Sequence, residues 1–211
     1  MLQDMGRRLR LVLDGSNEPT GTGPDWSATT DAEPVLATVA LGPLVDFVAY
    51  ADDCTLSGRI RLTGERLTDL LNTRDRWELV DVMAESFDGS ELVESNEVTI
   101  DRDEILVVHA SGPRGNNERR HRTNLHPVAL EAGTLRIRGY LHARPGLDPL
   151  AVLQRSLPMV PLTEASIEYE HHGVHERRRI GTVVVNRDRV NFIERIADHE
   201  IALPDLVFSP I

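Results

Sequence analysis

Leu56, Gly58, Ile60 and Leu62 alternate with Ser57, Arg59 and Arg61. A period of two places one set on a single face, so this stretch predicts a half-buried strand. The pattern then changes: Leu67, Leu70 and Leu71 fall at i, i+3 and i+4. That spacing predicts a short amphipathic helix over 64–72, with Thr63 as N-cap and Glu65 in the first turn. Strand patterning returns over Trp77 to Glu85, turns at Asp88-Gly89 and continues over Leu92 to Ile100. Asp101-Arg102-Asp103 then turns into Ile105 to Val108. Before all of these, Val45 to Tyr50 is an apolar run closed by the turn-forming Ala51-Asp52-Asp53. The unit predicted is strand-strand-helix-strand-strand-strand.

The same pattern occurs twice. Gly58 in Leu56-Ser57-Gly58 matches Gly139 in Ile137-Arg138-Gly139, an offset of 139 − 58 = 81. Leu79-Val80-Asp81 matches Leu162-Thr163-Glu164 at 83, and Val98 to Ile105 matches Val183 to Val190 at 85. The offset rises by two each time, as small loop insertions in the second copy would produce. In that copy Asp148-Pro149 supplies an N-cap with proline at N1, so a helix follows there too. Leu162 to Tyr169 is the middle strand, His171-His172-Gly173 its hairpin, and Asn186-Arg187-Asp188 the last turn.

The copies define five segments. Residues 1–34 hold a short N-terminal helix candidate and a Gly-, Ser-, Thr-, Pro- and acid-rich tether expected to be disordered. Residues 35–110 form the first repeat, 111–127 an Arg-rich linker, 128–197 the second repeat and 198–211 an apolar tail.

Charge separates the copies. Net charge is −11 overall, and every basic residue is arginine. Residues 44–110 carry 6 − 16 = −10, while 128–197 carry 10 − 8 = +2. The acidic first half would repel a phosphate backbone, so nucleic-acid binding is an alternative only for the linker and second repeat, through Arg119, Arg120, Arg122, Arg177, Arg178 and Arg179. Cys54 is the sole cysteine, which excludes an internal disulfide and fits a cytoplasmic location. No apolar run approaches the ~20 residues of a bilayer span, and the opening Arg7 to Leu13 is too short for a secretory signal.

A glycine in the second of five short strands permits a tight bend or close backbone approach. On Val45-Asp46-Phe47-Val48, Gly58 and the valine-rich closing strand, each copy resembles an Sm-like or SH3-like small β-barrel. It also resembles an uncharacterised family of small bacterial domains in which a glycine-bearing strand runs into Arg-Leu-Thr-Asp-Leu-Leu-Asn, here Arg66 to Asn72. The resemblance implies a mainly β (α+β) chain: two tandem five-stranded barrels, each with a short helix between strands two and three.

No nucleophile elbow, phosphate loop or dinucleotide fingerprint is present, so the chain is expected not to be an enzyme and no cofactor is expected. Gly58, Gly139, Asp101, Arg102, Asp103, Asn186, Arg187 and Asp188 recur as scaffold, because Asp and Asn side chains cap their own turns. Of the eight histidines, His171, His172 and His175 are the closest set with metal-ligand chemistry, at a hairpin tip where nothing in the sequence enforces convergence. The expectation is a protein-interaction or regulatory module whose strand edges engage a protein partner or a second copy of itself. Nucleic-acid binding and metal binding are the alternatives.

Overall fold

The computed structural model describes residues 42–64, 66–113 and 122–201. The first repeat contributes β1 (Leu44–Tyr50), β2 (Cys54–Arg61), α1 (Leu67–Thr73), β3 (Arg76–Ser86), β4 (Leu92–Asp101), a 3-10 turn at Arg102–Glu104 and β5 (Val107–His109). The second contributes β6 (Asn124–Ala132), β7 (Leu135–Ala143), α2 (Pro149–Arg155), β8 (Met159–His171), β9 (Val174–Asn186), a 3-10 turn at Arg187–Arg189 and β10 (Val190–Arg195). A last short helix, α3, spans Asp198–Ile201. The N-terminal helix candidate, the tether, most of the tail, and Arg119 and Arg120 lie outside the described residues.

The expectation of two tandem five-stranded barrels is overturned. All ten strands form one antiparallel sheet in the order β10-β6-β7-β8-β9-β5-β1-β2-β3-β4. Among the described residues β5 does not return to β4 of its own repeat; it pairs with β1 on one side and β9 on the other. The residues explain why. Ile105, Leu106, Val107 and Val108 are all buried, so this segment needs apolar cover on both faces, and Val183, Val184 and Val185 of β9 lie beside it. A short strand buried on both faces reads as an unbroken apolar run rather than an alternation.

Two cores follow from this arrangement. Phe47, Leu56, Leu79, Trp77 and Ile100 centre the first, and Leu130, Ile137, Leu162, Ile167 and Tyr169 the second. At the seam the strands feed both. Val108 and Val184 enter the first core, whereas Val107, Val183 and Val185 enter the second. Successive strand side chains point to opposite faces, so the two cores lie on opposite faces of the sheet there.

The repeated glycines mark a repeated bulge. Register shifts between Ser57 and Arg59 of β2, and between Arg138 and Tyr140 of β7. A Cβ on Gly58 would lie 3.0 Å from the Val80 carbonyl oxygen, and one on Gly139 3.2 Å from that of Thr163. Opposite them Asp81 and Glu164 have φ of 53° and 49°, so each bulge also holds a non-glycine residue in the left-handed region. Asp81 is paired there with Arg59.

Both helices sit where expected, with one shift. Asp148 caps α2 by accepting from the Leu150 amide, and Pro149 occupies the first turn. Helix α1 begins at Leu67 rather than at 64, and Arg66, not Thr63, is its N-cap. Its start is set by the buried triad Leu67, Leu70 and Leu71, while Arg66 clamps Asp69 at 2.8 and 2.9 Å across the first turn. Strand β6 begins at Asn124, inside the stretch expected to be linker.

Candidate functional site

Three features converge where the repeats meet: the seam, the paired Arg-Asp turns and the paired hairpin tips. At the seam, β5 and β9 align Val107 with Val185, Val108 with Val184 and His109 with Val183. Side chains extend the backbone pairing. Asn186 is 1% exposed; its Nδ2 donates to the carbonyls of Arg102 (2.8 Å) and Ile105 (3.0 Å), and its Oδ1 accepts from the Asp188 amide at 3.2 Å. Asn72, last residue of the Asp-Leu-Leu-Asn motif, does likewise from α1: it donates to the Met159 carbonyl at 2.8 Å and accepts from the Met159 amide at 3.0 Å. The recurrent turn residues therefore include one that joins the copies.

The two turns also share a cleft. Asp101, Arg102 and Asp103 face Asn186, Asp188 and Arg189 around a space of about 350 Å³. Arg189 bonds the Asp103 carbonyl and reaches Asp52 at 2.7 Å. Arg102 pairs with Asp75 at 2.6 Å, and Arg187 with Asp188 at 2.7 Å. The Arg102 and Arg187 amides donate to Asp75 and Pro158 carbonyls, both at 2.7 Å, so the turns are anchored alike.

Beyond the seam an aromatic cluster connects to the hairpins. Tyr50 meets Tyr169 edge-on at 5.3 Å, Phe87 lies 5.3 Å from Tyr169, and Arg178 covers the Tyr169 ring at 5.5 Å. Burial raises the Tyr169 hydroxyl's pKa well above its usual range. Burial also lowers His109 to about 4, and the nearby Arg178 charge adds to that shift. The Cys54 thiol is buried and pushed up to about 12, which makes it unreactive.

The β8–β9 hairpin tip touches the β3–β4 tip. The His172 amide donates to the Phe87 carbonyl at 2.6 Å. His172 and Gly173 have φ of 52° and 71°, the pair of positive values that a two-residue hairpin turn of type I′ requires. Its imidazole lies against Gly89, where a Cβ would fall 2.5 Å from Cε1. His172 Nε2 is 3.2 Å from Glu85 Oε1, and His171 Nε2 is 3.9 Å from the same oxygen. His171 Nδ1 contacts Glu176 at 3.2 Å. The structure thus brings together two of the three candidate histidines; His175 is exposed, opposite Glu170, outside the group. Glu85 takes the third place. An acidic cavity of about 650 Å³ adjoins this region, lined in part by Asp52, Asp53, Asp88, Glu91 and Glu170. Hydrogen bonds from Ser90 and Ser86 hold Asp88 at about 2.

The arginine candidates do not converge. Arg177 and Arg179 point to one face of β9 and Arg178 to the other. Arg177 pairs with Glu168 at 3.4 Å and Arg178 with Glu176 at 2.9 Å, while Arg122 is exposed at the far end of the connector. Among the described residues no helix is long and apolar enough to cross a membrane. Comparison of the chain with protein-family models, curated proteins and solved structures finds no match.

Proposed function

We propose that this chain is a non-enzymatic interaction module that associates through its strand edges, with a second copy of itself as the first partner. One observation carries the reading. The seam joins the fifth strand of one repeat to the fourth of the other, and the sheet ends on the complementary pair, β10 and β4. Among the described residues the chain therefore holds one such joint and leaves both halves of another unpaired with each other at the ends of the sheet.

Transferring the seam register by the repeat offset of 85 sets Phe192 opposite Ile100, Ile193 opposite Thr99 and Glu194 opposite Val98. Arg195 would then lie against Glu97. Phe192 is 49% exposed on β10, an apolar anchor for such a joint. A head-to-tail contact of this kind closes into a ring or runs on as a filament, according to the rotation per step. The acidic first repeat and the slightly basic second favour this polarity over like-to-like pairing.

Sedimentation or light scattering across a concentration and salt series tests the proposal. Assemblies larger than one chain, weakened by Phe192→Glu and by Ile193→Pro, are expected. A strict monomer at high concentration and low salt overturns self-association.

A further inference from the structure

We propose that Glu85, His171 and His172 form a site for a divalent transition-metal ion of the zinc type, which clamps the hairpins of the two repeats together. The inference stands on geometry separate from the strand edges. Each of the three residues offers one donor atom, and the donors lie within 4.8 Å of one another. Tetrahedral zinc with bonds of about 2.0–2.1 Å sets its ligand atoms about 3.3 Å apart. The 3.2 and 3.9 Å separations to Glu85 Oε1 are close to that span, and no two of the three donors lie more than 4.8 Å apart.

Adjacent residues on a strand normally point to opposite faces. Here the left-handed backbone of His172 turns its ring back beside that of His171, with centroids 4.2 Å apart. His171 is further oriented: Glu176 faces its Nδ1 at 3.2 Å, and Glu176 is itself held by Arg178 at 2.9 Å. A carboxylate on one ring nitrogen fixes the tautomer that leaves the other free to ligate, an arrangement typical around histidine ligands. With Nδ1 protonated, Nε2 presents its lone pair towards Glu85. Two imidazoles and one carboxylate suit zinc or its neighbours over calcium or magnesium, which prefer all-oxygen sets. The acidic cavity beside the hairpins favours cations in their neighbourhood. Three protein donors leave one coordination position for water or a partner's side chain.

Calorimetric titration of the chelator-stripped, full-length protein with zinc chloride tests the site. One ion per chain is expected, with a melting temperature that rises with zinc. Glu85→Gln and His172→Asn should each weaken binding about tenfold or more; asparagine tolerates the left-handed backbone, so the turn survives. His175→Ala should change nothing. Cobalt in place of zinc should give tetrahedral visible bands that both ligand variants lose. No bound ion, binding that survives both ligand substitutions, or equal weakening by His175→Ala would overturn the site.

Discussion

The seam and the sheet's outer strands occupy matching positions in the two repeats, and their residues differ at particular points. Tyr50, Leu106 and Val184 are fully buried where the repeats meet. At the matching positions on the sheet's ends stand Glu131, Asn191 and Thr99, at offsets of 81, 85 and 85. Glu131 and Asn191 are exposed and Thr99 is half-buried. Asn186, buried and bonded across the seam, is matched by Asp101, which pairs with Arg76 at 2.6 Å and accepts in its own turn. One scaffold thus carries a permanent joint in its middle and polar residues at three of the matching positions, while Phe192, Ile193, Val98 and Ile100 keep the apolar character of Val107, Val108, Val183 and Val185. Polar edges resist indiscriminate pairing, so a joint made there is weaker and more selective than the seam.

Exchanging seam and edge residues tests this contrast most severely at Asn186. Asn186→Asp removes the donor to two carbonyls and puts a carboxylate against them, so urea unfolding should show a loss of about 3 kcal/mol or more. Asp101→Asn, the reverse exchange, affects a partly solvated ion pair and should cost less than about 1 kcal/mol. Val184→Thr places a hydroxyl in the first core and should lower stability by about 1–2 kcal/mol in the same assay.

His109 gives the seam a pH dependence. Its native pKa is depressed from 6.5 to about 4, so the folded state disfavours the charged ring. Stability is full above about 6.5 and declines as pH falls towards 4. Unfolding measured between pH 7.5 and 5.5 should show this slope, and His109→Leu should flatten it. The smallest effect on stability is expected for Thr99→Val with Asn191→Leu, which restores seam-like residues to the edges. Unfolding free energy should move by no more than about 0.5 kcal/mol, while self-association measured by sedimentation tightens.

Much of the local structure was legible from neighbouring residues, although the start of α1 was not, since Arg66 rather than Thr63 caps it. Period-two alternation gave β2, the Asp148-Pro149 pair gave α2, and the hairpins at Asp88-Gly89 and His172-Gly173 follow from turn chemistry. The close backbone approach at Gly58 and Gly139 was legible, though not the bulge it belongs to or the left-handed Asp81 and Glu164 opposite. What misled was the closing strand. Ile105 to Val108 and Val183 to Val185 are unbroken apolar runs, the signature of burial on both faces, which separate barrels do not provide for at this position. Strand β6 was hidden because Pro127, which has no amide hydrogen to donate, interrupts its pattern. Glu85 was invisible as a partner of His171 and His172 because it lies in the other repeat, and only the contact of the two hairpins brings it there.

The division of the seam strands between two cores has a consequence during synthesis. The first repeat can be complete on the ribosome while the side chains of Tyr50, Leu106 and Val107, which belong to the second core, lack that core's cover. Their cover arrives only when Val183 to Val185 have been made, late in the chain. Until then the nascent protein exposes an apolar strand with an unpaired edge, the kind of surface that chaperones bind and that misdirects assembly on crowded polysomes.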